Sequence, residues 1–417
     1  MASSTVAQPE LEQIQRMGSA DLVIGILNPG ADDLGVLPGI LHQAVASMKS
    51  AARVVVLCRG LSSESQTRPE PQNGEFPAVA FLNWAAPEAA NATAQALLES
   101  YQTVLTVSSK LGARACVIIA SELRPPNMQL VICRLTQPLL ELGFDLVSPR
   151  YDRQKTEGLL NRSIIAPLGR ALYGERIQNP IGPDFGLSGR LLETILARNQ
   201  NTRVSQGHAI ASIASTAVCQ GLQICESYLG MRVQMPTQWT DLSSLLATVL
   251  GPVFIDVEMN APFWQRVRGS QPVPWFGNSA PVTGEPGVLD VQHMIESFHL
   301  GAQNFEEIWE SVLPPTTLLE LKRLARLPAE HFHVPDNLWA SMVYDLALGH
   351  RLRTINRDHL LRSITPLYRG WIASYAIEME NAGPQQVEAR LEQLSAVFEA
   401  RKPYLVSRWR WPDRFNP

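Results

Sequence analysis

The chain has 417 residues, of which 45% are hydrophobic and 18% charged, against about 25% charged residues in an average soluble protein. Its 35 Lys and Arg and 39 Asp and Glu give a formal net charge of −4, so neither nucleic acid nor an anionic membrane is expected as a general partner. No stretch approaches the roughly 20 apolar residues of a membrane span, and the length predicts two domains, or one large domain with an appendage.

The first part of the chain has the pattern of an α/β protein. Residues 1–19 are polar, carry no secretory signal and are predicted to be disordered, so we expect a cytoplasmic protein. Five apolar runs of strand type follow, at 21–27, 53–58, 78–82, 115–120 and 144–148. Three of their four connections have helical spacing of apolar residues, at 35–50, 87–112 and 127–142. This alternation predicts a mostly parallel sheet flanked by helices.

The remainder of the chain divides into loops and helices. Residues 149–191 are rich in Gly, Pro and Arg and predict irregular loops, and 194–219 predict one helix. From residue 288 the pattern is nearly all helical. The predicted organisation is a disordered segment 1–19, an α/β domain 20–270, a Pro- and Gly-rich linker 271–287 and a helical C-terminal domain 288–417.

Ligands of parallel sheets bind at the carboxyl ends of the strands. Here these ends carry Leu27-Asn28, Cys58-Arg59 and Ala120-Ser121-Glu122. No Gly-x-Gly-x-x-Gly and no Gly-x4-Gly-Lys-Ser/Thr follows a strand, which disfavours a dinucleotide site or a P-loop. The five cysteines are odd in number and form no Cys-x-x-Cys pair. They indicate reduced thiols more than a metal or redox site.

Several longer motifs resemble one family of bacterial enzymes. They are the runs 170–174, 179–190 and 355–361, the last continuing through 365–368. The chain resembles the glucosylglycerate and mannosylglycerate synthases, glycosyltransferases with a GT-A fold similar to that of the family-two enzymes. The resemblance covers about residues 21–374. It implies a Rossmann-type nucleotide-sugar domain followed by a helical region, and transfer of a hexose from a nucleoside diphosphate to a small hydroxy acid or sugar acid.

The resemblance also implies a set of site residues. Nucleotide-sugar binding is expected at Leu27, Asn28, Arg59, Ala120 and Ser121. Acceptor binding is expected at Arg153, Lys155, Asn161 and Gly182, where the cations suit a carboxylate. Catalytic positions are Asp184 and Glu122, and the metal positions are Glu122 and Gln234. Asp184 could orient a hydroxyl group or simply cap backbone N–H groups, and the basic stretch could equally be a solvated loop.

Four departures from the family pattern all concern the donor and its metal. The Asp-x-Asp position reads Ala120-Ser121-Glu122, and the position of the later histidine is Gln234. The acidic residue expected after the second strand is absent, since Arg59 follows Cys58, and residues 194–225 contain no Asp or Glu. Mg²⁺ and Mn²⁺ prefer oxygen ligands. No cofactor is therefore certain, and Mg²⁺ or Mn²⁺ is expected only if the altered site still binds metal.

Two hypotheses follow. In the first, the chain is a hexosyltransferase with weak or lost metal-dependent activity, its partners being a nucleoside-diphosphate sugar and a small carboxylate acceptor. In the second, it is an inactive pseudoenzyme that serves as a sensor or as a scaffold for a partner, such as an active paralogue or a second copy. Enzymatic activity stays open at this point. His208 could be a polar site residue or a structural one, and the tail 408–414, rich in Trp and Arg, could bind a ligand or dock on its own domain.

Overall fold

The computed structural model describes residues 18–27, 36–46, 53–59, 79–84, 94–120, 127–201, 208–231, 242–279, 282 and 287–412. The chain forms two compact units that interleave in sequence. The first comprises Met1–Asp152, Ile181–Met235 and Val273–Pro281, and the second comprises Arg153–Pro180, Pro236–Pro272 and Val282–Pro417. Residues 153–180 and 236–272, which were predicted to belong to the α/β domain, therefore group with the C-terminal helices.

The first unit is built on an eight-stranded sheet. Its strands are β1 (Leu22–Ile26), β2 (Val54–Arg59), β3 (Val79–Trp84), β4 (Ala115–Ile119), β5 (Leu146–Asp152), β7 (Asp184–Ser188), β8 (Ile224–Met231) and β10 (Trp275–Phe276). Their order across the sheet is β10-β8-β5-β7-β4-β1-β2-β3, and every pairing is parallel except the two that β7 makes. The predicted mostly parallel α/β sheet is confirmed, and the five strands predicted from apolar runs are β1 to β5.

Helices cover both faces of this sheet. They are α1 (Leu37–Ala46), α2 (Ala94–Lys110), α3 (Asn127–Glu141), α5 (Gly189–Asn201), α6 (His208–Ala211) and α7 (Ile213–Cys219). Ile24 and Ile26 belong to the core cluster with α1 and α3. Gly25 points to the opposite face, where a Cβ atom would lie 2.6 Å from Val104 of α2. Alternate residues of β1 thus pack against helices on opposite faces of the sheet, as expected for a parallel sheet buried on both faces.

Strand β7 is the main departure from the prediction, which treated 149–191 as irregular loops. It lies antiparallel between β4 and β5, with Cys116 opposite Leu187. Its central residue must be glycine, since a Cβ atom at Gly186 would stand 2.8 Å from the Leu135 carbonyl oxygen of α3. The prediction was wrong because a glycine in a short run between polar residues is typical of a turn. Here the glycine instead permits a close approach of helix and strand.

The predicted single helix over 194–219 was also wrong. The described part of that range contains α5, α6 and α7 as separate helices. Ser212 lies between α6 and α7, where its hydroxyl donates to the Ala209 carbonyl oxygen at 3.3 Å. Such side-chain bonds to nearby backbone compete with a continuous helix.

The second unit is predominantly helical, as predicted for the C-terminal region. It contains a π-helix (Asn161–Ile165), α4 (Ala166–Tyr173), α8 (Leu242–Met259), α9 (Ala261–Trp264), α10 (Val291–Asn304), α11 (Glu306–Val312), α12 (Pro315–Leu324), a 3-10 turn (Ala329–His331), α13 (Asp336–Leu352), α14 (Arg357–Glu378) and α15 (Pro384–Arg410). Two short strands, β6 (Glu175–Arg176) and β9 (Gln271–Pro272), pair in parallel. Its core holds large aromatic side chains, and the rings of Trp339 and Trp371 stack at 5.8 Å.

Helix α8 is the one described helix that is long and apolar enough to cross a membrane by length and composition alone. Half of its apolar window is buried in the protein. Asp256, near its end, accepts hydrogen bonds from Tyr173 at 2.7 Å and from Asn260 at 2.9 Å. A core helix passes the same test of length and composition, and the predicted lack of a membrane span stays a prediction.

The Trp- and Arg-rich tail continues α15 and docks on the second unit. Trp409 is buried against Trp264, with ring centroids 5.2 Å apart, and Arg351 lies over its ring at 4.6 Å. Arg408 forms a buried ion pair with Asp345 at 2.7 Å. Trp411 is exposed. Docking on the chain's own domain is therefore confirmed for Trp409 and Arg408.

Candidate functional site

Three of the predicted nucleotide-sugar residues lie side by side at the carboxyl edge of the first unit's sheet. The amide nitrogen of Leu27 donates to the carbonyl oxygen of Ile119 at 2.9 Å, which places Leu27 next to Ala120. On the side of β1 opposite β4, Cys58 of β2 pairs with Ile26, the last residue of β1. The next residue of β2, Arg59, therefore lies beside Leu27. Neighbouring strands lie about 4.8 Å apart, and these three positions therefore share one small area of the edge.

This area coincides with a switch in the direction of the chain. From β1 the chain proceeds through β2 to β3 on one side, and it then returns to place β4 on the other side of β1. The connection from β1 to β2 and the connection from β4 toward β5 therefore lead in opposite directions across the sheet. In open α/β sheets ligands bind outside the carboxyl ends at such a point. Leu27 and Ala120 mark its two sides.

Asp184 lies at the same edge, at the start of the antiparallel strand β7. One of its carboxylate oxygens accepts the backbone N–H of Ala120 at 2.9 Å, and the other accepts the hydroxyl of Tyr151. The residue is fully buried. The preceding carbonyl oxygen, that of Pro183, accepts the hydroxyl of Tyr101 at 2.7 Å. Asp184 thus links the ends of β4 and β5 to β7. These contacts are those expected of a carboxylate that caps a backbone N–H group.

Tyr151 was not among the predicted site residues. A buried carboxylate needs hydrogen-bond donors. A tyrosine at the end of a neighbouring strand is the sequence feature that could have indicated such a donor for Asp184. The pairing could not be identified from sequence, because it depends on the insertion of β7 between β4 and β5. The catalytic role of Asp184 stays a prediction.

Several predicted residues lie outside the described part of the chain. They are Asn28, Ser121, Glu122 and Gln234, and the side chain of Arg59 is likewise not described. Both predicted metal positions, Glu122 and Gln234, belong to this set. Across the residues that the structure does describe, no group of three or more His, Cys, Asp or Glu side chains is arranged to hold a metal ion.

The predicted acceptor residues are divided between the two units. Arg153, Lys155 and Asn161 belong to the second unit and Gly182 to the first. The Lys155 ammonium donates to the carbonyl oxygens of Met379, at 2.9 Å, and Glu380, so it caps the end of α14. Cations at a helix carboxyl end are favourable on electrostatic grounds.

The other predicted acceptor residues have local structural contacts. The Arg153 guanidinium passes over Gly158, which has a positive φ of 63° and where a Cβ atom would collide with it. Asn161 begins the π-helix. A Cβ atom at Gly182 would lie 2.8 Å from Pro149, so glycine is required by the approach of β5. Acceptor binding by these residues stays a prediction.

The remaining polar candidates are buried. His208 begins the short helix α6 and is almost fully enclosed. Cys58, Cys116 and Cys225 are buried thiols in the strands of the sheet, and none of the three is in a disulfide. Burial raises the pKa of Cys58 and of Cys116 to about 12, so these thiols are protonated at neutral pH and serve as core residues.

Comparisons with known proteins add solved structures only, since no family model and no curated protein matches the chain. One similar structure is glucosyl-3-phosphoglycerate synthase from Mycobacterium tuberculosis in complex with Mn²⁺, UDP-glucose and phosphoglyceric acid. The match covers 60% of this chain and 83% of the synthase chain, at 17% sequence identity and with a TM-score of 0.38. The same enzyme with Mg²⁺ and UDP matches 60% of this chain and 82% of its own at 19% identity, with a TM-score of 0.39. Similarity at this level assigns neither a family nor an activity to this chain.

Proposed function

We propose that the chain binds a nucleoside-diphosphate sugar at the carboxyl edge of its first unit, in the manner of a GT-A glycosyltransferase. The observation that carries this proposal is the position of Leu27, Arg59 and Ala120, which meet at the point where the chain reverses direction along the sheet. The sequence motifs that resemble glucosylglycerate and mannosylglycerate synthases support the donor class. The acceptor is a small hydroxy acid or sugar acid.

We expect metal-dependent transfer of the sugar to be weak or absent. A divalent cation ordinarily stabilises the charge that develops on the leaving diphosphate. The positions that would supply its ligands read Ala120-Ser121-Glu122 and Gln234. Asp184, whose carboxylate contacts Ala120, already accepts hydrogen bonds from Ala120 and Tyr151. The described residues do not fit a metal site, and Arg59 is the cation that we expect to face the diphosphate.

A second candidate function is that of an inactive relative that senses the nucleotide sugar or serves as a scaffold for an active paralogue or a second copy. It is favoured by the contacts of Asp184, whose two oxygens hold the ends of β4 and β5 and whose burial is complete. An enzyme would need a further acid or base to activate the acceptor hydroxyl. The transferase and the sensor share the binding step and differ only in turnover.

Thermal melts of the full chain with UDP-glucose, GDP-glucose and GDP-mannose, each with and without Mn²⁺, test the binding step. A ligand that binds the native state raises the melting temperature by mass action. We expect one of the three donors to raise it without metal, and Mn²⁺ to add no further shift. No shift with any donor would contradict the proposal, and a shift that requires Mn²⁺ would contradict the assignment of weak metal dependence.

A matched pair of variants locates the donor. Arg59 ends β2 at the carboxyl edge, whereas Arg53 immediately precedes the same strand at its amino end. Loss of a charged hydrogen bond costs about 1.5–3 kcal/mol, or roughly ten- to a hundredfold in affinity. We expect Arg59→Ala to weaken donor binding by that factor and Arg53→Ala to leave it unchanged. Release of free nucleoside diphosphate with D-glycerate as acceptor then separates the transferase from the inactive relative.

A further inference from the structure

An ion pair links two neighbouring strands of the first unit's sheet. Arg150 of β5 and Glu226 of β8 approach to 3.1 Å, and Glu226 is almost completely buried. In the register of the sheet Arg150 lies opposite Tyr228, and Glu226 lies opposite Trp275 of the edge strand β10. Since alternate residues share a face, the four side chains lie on one face of three adjacent strands.

The Arg150 guanidinium is held between two aromatic rings. Its central carbon lies 5.0 Å from the Tyr228 ring centroid and 5.2 Å from that of Trp275. Within the described part of the chain, Glu226 is the only hydrogen-bond acceptor of Arg150, although a guanidinium carries five N–H donors. Trp275 is 56% exposed. The result is an aromatic surface at the sheet edge with an ordered cation beside it.

The charges of this cluster decide what kind of ligand suits it. Glu226 and Arg150 carry opposite charges, so this pair of side chains has no net charge and attracts neither an anion nor a cation strongly. A neutral ligand with both an apolar face and oxygen acceptors fits best. The C–H groups of a pyranose ring pack on an indole face, while its hydroxyl oxygens accept from a guanidinium. We propose that Trp275, Arg150 and Tyr228 form a saccharide-binding surface, with Glu226 as the positioning residue.

This surface is separate from the proposed donor site. In the sheet order, Trp275 of β10 is four strand spacings from Ala120 at the end of β4, about 19 Å at roughly 4.8 Å per strand, and Arg150 of β5 is two spacings from it, about 10 Å. A hexose ring bound next to Ala120 would not reach Trp275. The proposal therefore does not rest on donor binding, and the surface suits a larger saccharide or a saccharide recognised for its own sake.

Saturation-transfer NMR with maltose and trehalose, followed by titration of the saccharide that binds, tests the proposal. We expect binding by the wild type and a loss of about tenfold in affinity for Trp275→Ala, since the energy of one aromatic contact is lost. Trp411→Ala is the matched control, because Trp411 is also an exposed tryptophan but lies in the second unit. It should bind as the wild type does.

Glu226→Gln tests the positioning role. It removes the charge that holds Arg150, and we expect weaker saccharide binding, whereas the donor should raise the melting temperature of the variant by as much as it raises that of the wild type. Circular dichroism of each variant checks that the fold is retained, and the exposed Trp275→Ala decides the matter if Glu226→Gln does not fold. The proposal is overturned if neither saccharide binds, if Trp275→Ala binds as well as wild type, or if uridine binds at Trp275 in place of a saccharide.

Discussion

The backbone N–H of Ala120, at the end of β4, donates to a buried carboxylate oxygen of Asp184 at 2.9 Å. Replacing this carboxylate by an amide keeps an acceptor oxygen for only one of the two groups that it serves, the Ala120 N–H and the Tyr151 hydroxyl, and places an NH₂ donor against the other. Leaving a buried donor unsatisfied costs about 1–3 kcal/mol. We expect Asp184→Asn to lower the free energy of unfolding in urea by that amount.

Tyr151→Phe is the companion of this variant, since it removes one bond to Asp184 and keeps the ring. Its cost should be smaller, about 1 kcal/mol. A different outcome would assign Asp184 another role. If Asp184→Asn is as stable as the wild type but transfers or binds less, the carboxylate acts on the ligand and the structural role assigned to it is wrong.

Gly186 allows β7 to lie beneath α3. A Cβ atom there would stand 2.8 Å from a backbone oxygen, that of Leu135, which cannot yield as a flexible side chain would. Overpacking of a core costs about 1–3 kcal/mol, and we expect Gly186→Ala to destabilise the protein by at least that much. Gly39 of α1 has open space around it, so Gly39→Ala should instead stabilise by about 0.5–1 kcal/mol. Equal effects of the two substitutions in urea unfolding would refute this explanation of β7.

The buried pair of Arg408 and Asp345 joins α15 to α13 in the second unit. Removing one partner of a buried ion pair costs about 3–5 kcal/mol, because an uncompensated charge remains. We expect a loss of this size for Arg408→Ala. Arg410, on the same helix, is exposed and donates to Gln265 at 3.0 Å, so Arg410→Ala should change unfolding by less than about 0.5 kcal/mol. A small effect of Arg408→Ala would show that the tail does not depend on this pair.

His350 makes the stability of the second unit depend on pH. Burial, reinforced by Arg357 and Arg353, lowers the pKa of this histidine to about 4. The unfolded chain, with a pKa near 6.5, takes up a proton between pH 6.5 and 4 that the folded chain does not. Stability from this residue is therefore complete above about pH 6.5 and falls on acidification through this window, by up to about 3 kcal/mol.

The measurement for His350 is urea unfolding at pH 7 and pH 5. We expect His350→Leu to be less dependent on pH than the wild type, whatever its stability at pH 7. His293→Gln alters an exposed histidine of the same unit and should retain the wild-type dependence. An identical pH dependence in wild type and His350→Leu would contradict the burial argument.

The sequence was informative where apolar residues run continuously. Such runs predicted β1 to β5, and 3.6-residue spacing predicted the C-terminal helices, because both patterns reflect burial of the elements themselves. The edge residues Leu27, Arg59 and Ala120 followed from the rule for carboxyl ends. Strand β7 was missed because the close approach of Gly186 to α3 is a property of the packed structure.

Pairs distant in the chain could not be predicted for the same reason. Tyr151 and Asp184 are 33 residues apart and Arg150 and Glu226 are 76 apart. Their contacts depend on which strands are neighbours, and the insertion of β7 decides that order.

Hydrogen exchange of the full chain with and without the donor that stabilises it tests most directly where the nucleotide sugar binds. Our proposal predicts slower exchange in peptides that contain the ends of β1, β2 and β4, at Leu27, Arg59 and Ala120, and unchanged exchange in β10. Protection confined to other segments, or no protection at saturating donor, would contradict a donor site at this edge of the sheet.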